Sequence, residues 1–137
     1  MDLGVIARGI GLGAAALVLD AAAAALWVLI YSLAIAPGHD GAFYQAYGQQ
    51  VAPVSTLIVG VPLLFAAGWL NGRRGTALAA IVPALAYIAI DLLLATASGL
   101  MLPVWSLLLS YAAKLAASYA GGMLARRRRH PSLPAPD

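Results

Sequence analysis

The sequence predicts an all-α integral membrane protein: a four-transmembrane-helix antiparallel bundle with a short interfacial helix in its outer loop. Three observations carry that expectation. Of the 137 residues, 63% are hydrophobic and only 9% are charged, whereas soluble domains carry about 25% charged residues, so this set cannot clothe a water-exposed surface. The apolar residues fall into four long runs, each closed by charge or turn signals. The arginines gather at alternate connections between those runs, the pattern that enrichment of Lys and Arg on cytoplasmic flanks produces.

The first run, 9–36, is interrupted only by Asp20. At 1.5 Å per residue it reaches about 40 Å, beyond the roughly 30 Å hydrocarbon core, so it must tilt or protrude. Ala34-Ile35-Ala36 has the small-x-small form of a signal-peptide cleavage site. However, the run far exceeds the usual length of about 7 to 15 residues, and Pro37 would follow the cut, so the segment reads as a retained span. The second run, 53–71, matches one crossing and stops at Arg73 and Arg74. The third, 76–97, turns at Ser98 and Gly99 into the fourth, 102–125, which ends at Arg126, Arg127, Arg128 and Arg129. So tight a turn makes the last two runs an antiparallel hairpin. These elements form one domain, 1–130. The tail 131–137, with Pro131, Pro134 and Pro136, is expected to be extended, flexible and cytoplasmic.

Four crossings put Arg8, Arg73, Arg74 and the terminal arginines on one side, and an odd number would split them. Both termini are therefore expected in the cytoplasm, with the protein in a bacterial-type inner membrane. Four adjacent arginines at a span end also attract anionic lipid headgroups. That topological role accounts for the basic run without nucleic acid. The opposite side holds the outer loop, 37–52, which has no Lys or Arg. There Asp40 can cap a short helix whose Phe43, Tyr44, Tyr47 and Val51 share a face, and such a helix is expected to lie flat on the interface. Trp27, Tyr31 and Trp105 fall toward the outer side and Trp69 toward the inner, as aromatic belts do.

Packing surfaces follow from small residues at four-residue spacing, which let helix backbones approach closely in lipid. Gly9 and Gly13 form such a pair in the first span; Ala113, Ala117 and Gly121, and in parallel Ala112, Ala116 and Ala120, recur in the fourth. Pro62 and Pro83 fall inside the second and third spans, where they kink helices.

Three charges remain within the spans: Asp20, Asp91 and Lys114. A charge at mid-bilayer costs about 2.5 to 3.5 kcal/mol on insertion scales, so it faces a partner or water and marks function by default. Asp20 lies 12 residues from Arg8 and Lys114 lies 12 from Arg126, which sets both about 18 Å above the cytoplasmic flank. They are predicted to pair. Asp91 is 17 residues beyond Arg74, about 7 Å farther out, and Tyr87, four residues earlier, shares its face. Desolvation favours the protonated form of an unpaired carboxylate, so Asp91 with Tyr87 is the candidate proton site. Ser106, Ser110, Lys114 and Ser118 recur every four residues and offer a polar wall.

Several chemistries are excluded. Without cysteine there are no thiolate metal or iron–sulfur sites. His39 and His130 lie outside the spans, where neither can ligate a membrane haem, and no metal or cofactor is expected. The glycine-aspartate motif of intramembrane proteases is missing before both Asp20 and Asp91. Glycines at Gly9 to Gly13 lack the strand and spacing of a nucleotide loop. No nucleophile, base and orienting group can be placed together, so no enzyme is expected. Two functions remain. One is an accessory or assembly subunit packing on other membrane helices, in a homo-oligomer or a larger complex. The other is a small proton-coupled transporter or ion pathway that uses an intramembrane aspartate.

Overall fold

The computed structural model describes residues 2–76, 78–98 and 104–128. The expected Ser98-Gly99 turn falls partly outside these residues. Arg129 and the proline-rich tail lie wholly outside them.

The protein is all-helical, with no strand among the described residues. Helix α1, Leu3–Ile30, opens on the Asp2 side chain, which accepts from the Gly4 amide. It runs into a π-helical turn, Tyr31–Ile35. Helix α2, Gly41–Ser55, continues through a second π turn, Thr56–Gly60, into α3, Val61–Gly72. A 3₁₀ turn, Leu78–Ile81, leads into α4, Val82–Ala97, and α5, Val104–Arg127, completes the described chain. Among the described residues, three continuous helices are long and apolar enough to cross a membrane: Leu3–Ile35, Gly41–Gly72 and Leu78–Ala97. These point to a membrane location. Helix α5, where a fourth span is expected, is not among the three: it carries Ser106, Ser110, Lys114, Ser118, Arg126 and Arg127 and is less apolar.

Three prolines fall within the described helices. A proline ring clashes with the carbonyl four residues back and supplies no N–H. Pro62 and Pro83 are the second residues of α3 and α4, just after a π turn and a 3₁₀ turn, where the helical hydrogen-bond register changes. Pro53 lies inside α2 and does not end it. Consequently, the expected boundary at 53 gives way to one unbroken helix from Gly41 to Gly72. The outer connection contracts to residues 36–40, although Asp40 does cap the helix, accepting from the Phe43 amide at 2.9 Å. The aromatic face expected to lie on the interface packs instead on the end of α1. Tyr47 stacks on Tyr31 at 3.6 Å and its hydroxyl accepts from Trp27 Nε1, while Phe43 stacks on His39 and the Tyr44 hydroxyl donates to the Ala36 carbonyl.

Small residues fill the inside and large ones cover the outside. Ala16, Leu64, Ala67, Ala84 and Tyr87 form the buried core, whereas Val18, Leu33, Ile58, Leu93 and Trp105 are exposed. This inversion is how helices solvated by lipid pack, with close backbones within and apolar bulk without. Helices α3 and α5 pack most closely. A Cβ on Gly68 would strike the Ser118 carbonyl, and one on Gly121 the Phe65 carbonyl. Gly9 and Gly13 are buried against α4 at Val82 and Pro83. Ala113 and Ala117 are half-buried on α5.

Candidate functional site

Four segments converge on one polar cluster. Asp20 comes from the middle of α1, Tyr87 from α4 and Lys114 from α5, all three buried. Thr56 opens the π turn between α2 and α3. Such turns insert an extra residue into a helix and re-aim its side chains, and they occur often at functional sites.

The Asp20 carboxylate accepts from the Thr56 hydroxyl at 2.6 Å and from the Tyr87 hydroxyl at 2.5 Å, both at Oδ2. Lys114 Nζ donates to those same hydroxyl oxygens, at 2.7 Å for Thr56 and 2.9 Å for Tyr87. Each hydroxyl thus gives its single proton to the carboxylate and a lone pair to the ammonium. The ammonium also sits 4.1 Å from the centre of the Tyr87 ring, within cation–π range. Asp20 and Lys114 are joined, but through two bridging hydroxyls. Gly60 closes the floor, since a Cβ there would meet Asp20 Oδ2 and Lys114 Cε at 3.0 Å.

Asp91 lies one turn beyond Tyr87 on α4 and is half-buried. Its Oδ2 accepts from the Tyr111 hydroxyl of α5 at 2.8 Å. The predicted coupling of Tyr87 to Asp91 is therefore replaced: Tyr87 turns to Asp20, and Tyr111 serves Asp91. Both clusters border a single cleft of about 200 Å³, which takes in Asp20, Thr56, Tyr87, Asp91, Tyr111 and Lys114. Ser106 and Ser110 line it too. Ser110 is 7% exposed, and its Oγ has no hydrogen-bond partner among the described residues. Ser118, the last member of the polar stripe, faces elsewhere and donates to the Ala80 carbonyl at 2.6 Å, tying α5 to the 3₁₀ turn.

Apart from Lys114, the described basic residues do not line this cleft. Arg126, Arg127 and Arg128 are exposed at the end of α5, and Arg73 lies 4.7 Å from the Trp69 ring. Near them Asn71, fully buried, donates to the Ala79 carbonyl at 2.7 Å.

Sequence reasoning missed Thr56, Gly60 and Tyr111. Thr56 and Gly60 were legible only as a hydroxyl and a small residue four apart, a spacing that many membrane helices share. Tyr111 is three residues before Lys114 and one after Ser110, so the polar wall could have been widened to include it. Comparison with protein-family models, curated proteins and solved structures finds no match for this chain.

Proposed function

We propose that this chain crosses a bacterial-type inner membrane four times, with both termini in the cytoplasm, and acts as a small proton-coupled transporter or ion pathway. One observation carries the reading: the cleft of about 200 Å³ that borders both intramembrane carboxylates and the lysine. Structural ion pairs need no such space beside them. Asp20 is tied to Lys114, whereas Asp91 has a neutral tyrosine and faces the cleft, so Asp91 is the group that exchanges a proton. The exposed arginines at the end of α5 suit the anionic headgroups of the inner leaflet.

The test is proton movement into liposomes reconstituted with the purified full chain and a trapped pH-sensitive dye. An imposed potential should drive acidification that Asp91→Asn reduces by tenfold or more. Equal flux in wild type and variant, or none above protein-free vesicles, sinks the proposal.

A second reading, an accessory or assembly subunit, draws on a different observation. Ala112, Ala116 and Ala120 are exposed at four-residue spacing on α5, a surface suited to a further membrane helix. Mild-detergent purification from native membranes separates the two: a larger stoichiometric complex favours assembly, and the lone chain or its homo-oligomer favours transport.

A further inference from the structure

We infer that the cleft holds a small primary ammonium ion between Asp91, Ser110 and Tyr111. This inference rests on the transport reading above and names the class of cation.

The chain already contains a worked example of what these walls do to an ammonium group. Lys114 Nζ is held by two hydroxyl oxygens and a tyrosine ring, with a carboxylate behind the hydroxyls. Beside Lys114, whose ammonium also lies 5.9 Å from the centre of the Tyr111 ring, the same cleft repeats those groups. Asp91 supplies the carboxylate, Tyr111 a ring whose hydroxyl already donates to that carboxylate, and Ser110 a hydroxyl oxygen. Lys114 is the only lysine in the chain, and every arginine lies at the end of a run. Two carboxylates therefore share one ammonium, and the cleft carries a formal charge of −1 with both acids ionised.

Ser110 makes the case independent of charge. A hydroxyl buried to this degree almost always has a partner, and its Oγ has none among the described residues while Ser110 lines the cleft. An ammonium N–H reaching Ser110 Oγ and the Asp91 carboxylate satisfies both acceptors. Leu17, Ala21 and Leu107 on the same walls suit a short alkyl group. At about 200 Å³ the space falls below the roughly 300–1,000 Å³ of pockets for drug-sized ligands. A transition-metal ion fits less well, because no three His, Cys, Asp or Glu side chains gather as a metal site among the described residues, and alkali cations are the competitors that the experiment must separate.

The experiment is titration calorimetry on the full chain in detergent, with methylammonium chloride as probe and sodium and potassium chloride at equal ionic strength as controls. Saturable binding of methylammonium is expected, with at least tenfold weaker binding in Asp91→Asn, near-normal binding in Asp91→Glu, and several-fold weaker binding in Ser110→Ala. Thermal unfolding of each variant reports whether it folds, and Ser110→Ala, which removes only an unpaired hydroxyl, keeps the test decisive if Asp91→Asn does not. No saturable methylammonium binding, binding unaffected by Asp91→Asn and Ser110→Ala, or sodium or potassium bound as tightly, overturns the assignment. Proton flux without methylammonium binding overturns the ammonium assignment and leaves the transport reading standing. Binding without flux supports the assignment and removes coupled transport.

Discussion

At the scale of single residues, the Asp20–Lys114 cluster makes a demand that can be measured. Removing one member of a buried charge pair leaves the other uncompensated and costs about 3–5 kcal/mol, whereas replacing both members is often close to neutral. Lys114→Met is expected to lower stability by that amount, and Asp20→Asn combined with Lys114→Met to recover most of it, as read by thermal or denaturant unfolding in detergent. If the double variant is no better than the single, the hydroxyl bridges do not couple the two charges. Gly60→Ala tests the floor of the same cluster. Its methyl group meets Asp20 Oδ2 and Lys114 Cε at 3.0 Å, and overpacking of this kind costs about 1–3 kcal/mol. Depth counting sets Asp20 and Lys114 at one level, and in the structure the Thr56 and Tyr87 hydroxyls bridge them. It could not reveal Thr56, because which side of a helix a lone hydroxyl takes depends on a π turn that no spacing rule announces. The four-residue spacing along α4 pairs Tyr87 with Asp91, but the Tyr87 hydroxyl reaches across to α1 and donates to Asp20.

Whole elements meet at the α3–α5 seam, where glycine decides how near two backbones come. Gly68→Ala sets a methyl group against the Ser118 carbonyl, so the helices must separate along their length and lose the contacts that hold them in lipid. A loss of about 1–3 kcal/mol is expected. Gly11→Ala is the matched control, since nothing lies within 4 Å of that Cβ. In an exposed helical position alanine gains about 0.5–1 kcal/mol over glycine. Opposite signs for the two variants in the same unfolding assay would locate the effect in close approach; equal losses would refute it. At this scale the sequence was most legible where polarity changes abruptly, at Arg73, Arg74 and Arg126. It was least legible at Pro53, because a proline within a helix and a proline that starts one look alike until the preceding turns are known. The same helix shows why the aromatic face of α2 did not lie flat: Tyr31 and Trp27 on α1 offer it rings and an N–H to pack against, which competes with the headgroup layer for those side chains.

For the whole molecule, the inside-small and outside-large arrangement suits an apolar solvent, and the proposed orientation, argued from the arginine distribution, can be tested directly. If α1, the continuous Gly41–Gly72 helix, α4 and α5 each cross once, Asp2, Arg74 and Arg128 share one face while His39 occupies the other. The chain contains no cysteine, so a single introduced thiol reports its own side without background. Asp2→Cys, Arg74→Cys and Arg128→Cys are expected to resist a membrane-impermeant maleimide in intact cells and to react in inverted vesicles, and His39→Cys to do the reverse. All four positions are exposed, so failure to label reflects sidedness rather than burial. Labelling of His39→Cys and Arg74→Cys from the same side would mean that Gly41–Gly72 does not cross. The cleft would then open to a single compartment, and a carboxylate reached from one side alone cannot couple proton movement across the membrane. Three residues on one side and one on the other instead leave Asp91 between two compartments, the arrangement that a transported cation requires.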